Sequence, residues 1–128
     1  MEEKKKSILI VDDDSFLLDM YALKFSQSGF DVDTALGSTA ALQKIKELTS
    51  LDILLTDIVM PVMDGFELLQ KINEENLIPN TVKIIISNLG QTEDIEKGKA
   101  LGVSGYIVKA NATPSEVVSK VVSLTQSK

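Results

Sequence analysis

Apolar positions along this chain fall into short runs separated by longer stretches of helical spacing. Ile8 to Val11, Ile53 to Leu55 and Val82 to Ile86 are the clearest runs, and the first and last are rich in β-branched side chains. Near-continuous apolar runs of that length read as strands buried on both faces, the signature of a parallel sheet. Tyr106 to Val108 is a shorter fourth candidate. "FDVDTA", where Phe30, Val32 and Thr34 alternate with polar positions, is the weakest and is expected at an edge.

Helical patterns fill the gaps. From Ser15 to Ser28, residues Phe16, Met20 and Leu23 share a face, and Gly29 supplies a left-handed stop. From Ser38 onward, Leu42, Ile45 and Leu48 recur at helical spacing. "DGFELLQKINEE" opens with Asp64 as N-cap and Glu67 three residues on, a capping box, with Phe66, Leu69 and Ile72 facing inward. "TEDIEKGKALG" carries acids in its first turn and Gly102 past its end. "TPSEVVSKVVSL" places Thr113, Pro114 and Glu116 at N-cap, N1 and N3. The alternation is β-α repeated five times, so right-handed crossovers predict an α/β fold, a doubly wound five-stranded parallel sheet with helices on both faces. No repeat, low-complexity segment or linker interrupts it. One domain over 1–128 is expected, with its core at about 7–126.

Composition narrows the chemistry. A length of 128 residues, 44% hydrophobic and 25% charged, suits one globular domain with a real core. The net charge of −6 argues against nucleic acid or an anionic membrane as main partner, since both need a basic surface. There is no cysteine and no histidine. Disulfides, thiolate metal sites, cysteine nucleophiles and the usual general base are thereby excluded. Any catalysis must run on carboxylates, Lys, Ser/Thr and hard cations. The start "MEEKKKS" mixes signs and precedes only four consecutive apolar residues, too few for a signal peptide or membrane span. A cytoplasmic protein is expected.

Ligands of such sheets bind at the carboxyl ends of the strands. Here those ends carry Asp12 and Asp13, Asp57, Ser87 and Lys109. The three carboxylates and one ammonium leave a pocket near −2, which a divalent cation neutralises. Oxygen ligands with room for water suit Mg²⁺ better than zinc or copper. Asp14 or Ser15 is expected to cap the following helix, but capping cannot account for both Asp12 and Asp13. Ser87 or Lys109 alone is a weak signal. Their joint spacing is the strong one.

"VDDD", "LLTDIVMPVMDG", "IIISN" and "GYIVKA" resemble, in order and spacing, the receiver domains of two-component response regulators, the single-domain chemotaxis-type regulators in particular. The resemblance covers essentially the whole chain. It implies the flavodoxin-like (β/α)5 receiver fold with strand order 2-1-3-4-5. It also implies that Asp57 accepts a phosphoryl group from a sensor histidine kinase or phosphotransfer protein, with Mg²⁺ held by Asp12, Asp13, Asp57 and the Val59 carbonyl. By the same resemblance Ser87 hydrogen-bonds the phosphoryl group, Lys109 pairs with it, and Tyr106 turns inward as the hydroxyl moves. The face of the fourth helix, fifth strand and fifth helix, with Ile95, Lys99, Tyr106 and Lys120, would meet an effector in trans. No output domain is expected, nor turnover of a separate substrate beyond the protein's own phosphorylation and dephosphorylation. The expected state is a monomer or weak dimer.

Three departures mark this sequence. Most receivers carry proline, after a cis peptide, where Ala110 follows Lys109. A non-proline cis bond costs about 3–4 kcal/mol, so either the fold bears that cost or the bond is trans and the loop aiming Lys109 is rearranged. Asn88 stands where a small residue is usual and either narrows donor access or adds a hydrogen bond. Val59 and Leu89, at positions that influence hydrolysis in the family, are apolar and orient no water. Two other readings compete: a degenerate receiver acting as an unphosphorylated interaction module, and a Mg²⁺-dependent phosphohydrolase of related topology. The second normally carries a cap insertion and its nucleophile on the first strand. This chain has neither insertion nor a G-x-x-x-x-G-K-[ST] nucleotide motif.

Overall fold

Five parallel strands lie in the order β2-β1-β3-β4-β5. The computed structural model describes residues 5–48 and 50–126; residues 1–4 of "MEEKKKS" lie outside it. The elements are β1 (Ser7–Asp12), α1 (Ser15–Gln27), β2 (Asp31–Leu36), α2 (Ser38–Glu47), β3 (Ile53–Thr56), α3 (Gly65–Glu74), β4 (Val82–Ser87), α4 (Thr92–Ala100), β5 (Gly105–Val108) and α5 (Pro114–Gln126). All five expected strands form, and the weakest, β2, is indeed an edge. No helix among the described residues is long and apolar enough to cross a membrane.

Strand alternation sorts the core into two layers. Ile8, Ile10, Ile53, Leu55, Ile84, Ile86 and Ile107 face α1 and α5, where they meet Phe25, Val117 and Val121. Leu9, Val11, Leu54 and Ile85 face the opposite way, onto Ala41, Ile45, Phe66, Leu69 and Ile72. Burial on both faces is why these strands read as unbroken apolar runs.

Helix ends follow their sequence signals. Asp14 caps α1, its Oδ1 accepting from the N–H groups of Phe16 and Leu17 at 3.0 and 3.2 Å. Asp64 and Glu67 form the reciprocal box at α3, and Thr113 with Glu116 does the same at α5. The helix α1 differs in which side it buries. Leu18, Tyr21 and Phe25 pack inward, whereas Phe16 and Leu23 are 73% and 60% exposed. Apolar residues occur on both sides of α1, so spacing alone does not choose between them. Packing does, through contacts such as the edge-to-face pair of Phe25 and Phe30, with ring centroids 5.1 Å apart.

Lys83 interrupts the second layer. It is buried in β4 between Val82 and Ile84, and its ammonium has only long contacts of 3.4 Å to the carbonyls of Ile78 and Thr81. Among the described residues it forms no ion pair. Burial pushes its pKa down from the usual lysine range. A lysine whose folded pKa is lowered weakens the fold while protonated, and the penalty fades as pH rises from the folded pKa to the unfolded value. Lys83→Met is therefore expected to stabilise the protein by about 1 kcal/mol at neutral pH, roughly 4 °C in Tm. Urea melts of both proteins should show that gain shrinking as pH approaches ~10.4.

Candidate acidic site at the carboxyl edge of the sheet

The strands β1 and β3 are neighbours, so the residues ending them arrive side by side. Asp12 closes β1 and is 1% exposed; Asp57 directly follows β3 and is 5% exposed. Asp13, one residue along, turns outward to solvent. Oxygens of Asp12, Asp13 and Asp57 all lie within 4.8 Å of one another. Such a set of hard donors, with one member open to water, fits a small divalent cation. The Asp57 carboxylate is oriented by its neighbour's backbone, Oδ1 accepting from Ile58 N–H at 2.7 Å. Asp12 Oδ1 accepts from Asp14 N–H at 3.1 Å.

Lys109 reaches this cluster from the far side of the sheet. Its ammonium donates to Asp12 Oδ2 at 2.8 Å and to Asp57 Oδ2 at 3.0 Å. The peptide between Lys109 and Ala110 is trans, as no cis bond occurs among the described residues. Lys109 to Asn111 form a single 3-10 turn, and from that turn the side chain still bridges both carboxylates. Burial raises the pKa of Asp57, the Lys109 hydrogen bond and charge oppose that rise, and Asp12 adds to it. For Lys109, burial disfavours the charged form, but hydrogen bonds and charge from Asp12 and Asp57 outweigh it and raise the pKa. The cluster is thus held together by one cation among three anions.

Ser87, at the end of β4, is fully buried, and its hydroxyl accepts from the Leu89 N–H at 3.3 Å. The carbonyl of the same Leu89 residue accepts a hydrogen bond from the Tyr106 hydroxyl on β5. Burial raises the Tyr106 pKa, with Asp94 and Asp57 adding to the rise and Ser87 opposing it. One residue's backbone therefore joins the serine at the sheet edge to the tyrosine two elements away. Val59, Asn88 and Leu89 lie on the exposed loops after β3 and β4, with Val59 59% and Leu89 38% exposed.

Sequence reasoning missed several residues that shape the site. Thr56 donates its hydroxyl to the Asp57 carbonyl at 2.9 Å. Gly65 lets α3 approach: a Cβ there would stand 2.1 Å from that same Asp57 carbonyl oxygen, so only glycine fits. In the sequence Gly65 reads only as the second half of a helix-opening Asp-Gly. Tyr21, buried on α1, has its pKa raised by burial, with opposing effects from Lys109 and the two buried aspartates. Nothing in its helical spacing signals that proximity.

Known proteins agree with this geometry. A family model described as "Response regulator receiver domain" matches residues 8–122. Over 104 residues the chain is 36% identical to the "Chemotaxis protein CheY" of Treponema pallidum, covering 80% of this chain and 71% of that one. It is 31% identical over 118 residues to the "Probable transcriptional regulator ycf29" of Porphyra purpurea, covering 92% of this chain and 56% of that one. The structure of chemotaxis protein CheY4 from Vibrio cholerae superposes with a TM-score of 0.86 at 26% identity, over 94% of this chain and 99% of that one. The chain spans about half the length of the probable transcriptional regulators it matches. Strand order, the acids and lysine at the strand ends, and the matched model converge: this chain belongs to the receiver domains of response regulators.

Proposed function

We propose that the chain is a phosphoacceptor switch, taking a phosphoryl group onto Asp57 from a phosphohistidine on a sensor kinase or phosphotransfer protein. The observation carrying this reading is the Lys109 ammonium bridging Asp12 and Asp57 beside a third carboxylate. In the transfer, the P–N bond of the donor breaks as a P–O bond forms to an Asp57 oxygen, and the electron pair returns to the imidazole. Such transfer depends on positioning and charge neutralisation more than on covalent assistance. Asp12, Asp13, Asp57 and the Val59 carbonyl would hold Mg²⁺, which supplies charge neutralisation at the incoming oxygens. Lys109 then releases one carboxylate and pairs with the phosphoryl oxygens.

Phosphorylation adds about one further negative charge at Asp57 and new acceptor oxygens. Ser87 turns its hydroxyl toward them. Because the Leu89 backbone links Ser87 to Tyr106, the loop and the face of α4, β5 and α5 follow. Ile95, Lys99, Tyr106 and Lys120 on that face meet an effector in trans. In this reading the receiver is monomeric or weakly dimeric and acts in the cytoplasm, with protein partners rather than nucleic acid or membrane. Asn88 tunes the site, by narrowing donor access or by adding a hydrogen bond to the phosphoryl group.

Incubation with acetyl phosphate and Mg²⁺, followed by intact mass, is expected to give a phosphoryl adduct on the wild type and none on Asp57→Ala. A folded wild type that stays unlabelled and fails to bind Mg²⁺ would point instead to an unphosphorylated interaction module. The apolar pair Val59 and Leu89 predicts a slow loss of phosphate. Replacing them together, Val59→Asn with Leu89→Glu, should shorten the acyl phosphate lifetime roughly tenfold or more by orienting the attacking water. Equal lifetimes, timed by phosphate release, would remove that role from both residues.

A further inference from the structure

The dipeptide Gly37-Ser38, at the junction of β2 and α2, supplies no cation ligand, yet it is hydrogen-bonded both to Asp12 and to the loop that follows Asp57. Gly37 N–H donates to the backbone carbonyl of Asp12 at 2.9 Å, from a φ of +89° that favours glycine. Ser38 is 1% exposed and donates its hydroxyl to the carbonyl of Met63. The first bond reaches the end of β1. The second reaches the loop that carries Val59.

That loop is strained. Met63 N–H donates to the Pro61 carbonyl at 2.8 Å, closing a γ-turn with Val62 at its centre, at a φ of +72°. A β-branched residue there is an outlier whose conformation is costly. Val62 is 93% exposed, so packing does not offset that cost. Strained backbone persists only where its surroundings over-determine it. One support is the Gly65 N–H to Ile58 carbonyl bond of 2.8 Å at the base of the loop. Among the described residues, the Ser38 hydroxyl is the one side-chain donor that reaches Pro61 to Met63 from another element.

We propose that Ser38 is a positioning residue for the cation site, holding the strained turn so that the Val59 carbonyl keeps its place relative to Asp12. The inference rests on the Mg²⁺ reading above and adds a residue outside the ligand set. A serine that merely satisfied a buried carbonyl would leave the cation site indifferent to the strain at Val62. The two roles separate in a double-mutant cycle.

The experiment is a calorimetric titration of the whole protein with MgCl2, with folding checked by circular dichroism. Ser38→Ala is expected to weaken Mg²⁺ binding about tenfold, the lower end of the range for outer partners of metal ligands. Asparagine tolerates positive φ, so adding Val62→Asn to Ser38→Ala should return the affinity to within about twofold of wild type, because the relaxed turn no longer needs the clamp. Val62→Asn alone should leave it unchanged. Wild-type affinity in Ser38→Ala, or no recovery in the double variant, overturns the proposal. Ser38→Cys, similar in size but a weaker donor, guards against a folding failure in the alanine variant. It should show a smaller loss, and wild-type affinity in it also overturns the proposal. A wild type that binds no Mg²⁺ overturns the cation reading itself, and with it this inference, before any variant is compared.

Discussion

The structure depends most on a single ammonium held between two buried carboxylates. Asp12 and Asp57 end adjacent strands, and without Lys109 their charges would oppose each other in a poorly solvated edge. Lys109 comes from beyond β5, at the opposite end of the sheet from β2. The bridge therefore ties the first, third and fifth strands at one edge, and it does so with a group that a new anion can attract away. Under the proposed function, stability and responsiveness reside in the same contact.

Around that bridge the fold supplies rigid supports of different kinds. Hydrogen bonds from Ile58 and Asp14 fix the two carboxylates from the backbone. Gly65 lets a helix end sit against the Asp57 carbonyl, where any side chain would collide. By contrast, α4 buries only Gly98 among its residues, and a Cβ there would meet Ile85 at 2.9 Å. This helix sits close to the sheet but has few apolar anchors. Packing is dense beneath the acids and sparse beneath α4. A domain built so can keep its acidic site fixed while one surface rearranges.

Much of this was legible in the sequence, and the exceptions have physical causes. The β-α alternation, the capped ends of α3 and α5, and the meeting of Asp12, Asp13, Asp57 and Lys109 follow from apolar runs and from where strands of this kind end. Strand order came from the family resemblance, since periodicity does not order strands. The side that α1 buries was illegible because both sides are apolar. The route by which Lys109 arrives was equally hidden. Replacing the usual proline with Ala110 left open whether the peptide was cis or trans, and the trans turn Lys109–Asn111 settles the geometry without losing the bridge. Ser38 and Gly65 escaped because their roles are contacts to distant carbonyls, which leave no local pattern.

The link through Leu89 has a consequence for how such a switch can diversify. Ser87 and Tyr106 are joined by the N–H and the carbonyl of that residue, not by its side chain. Side-chain replacement at 89 leaves those two backbone groups in the chain. Under the proposed function, the duration of the signal and its transmission are then separately heritable traits. Mutation can reset the clock at this position without cutting the wire.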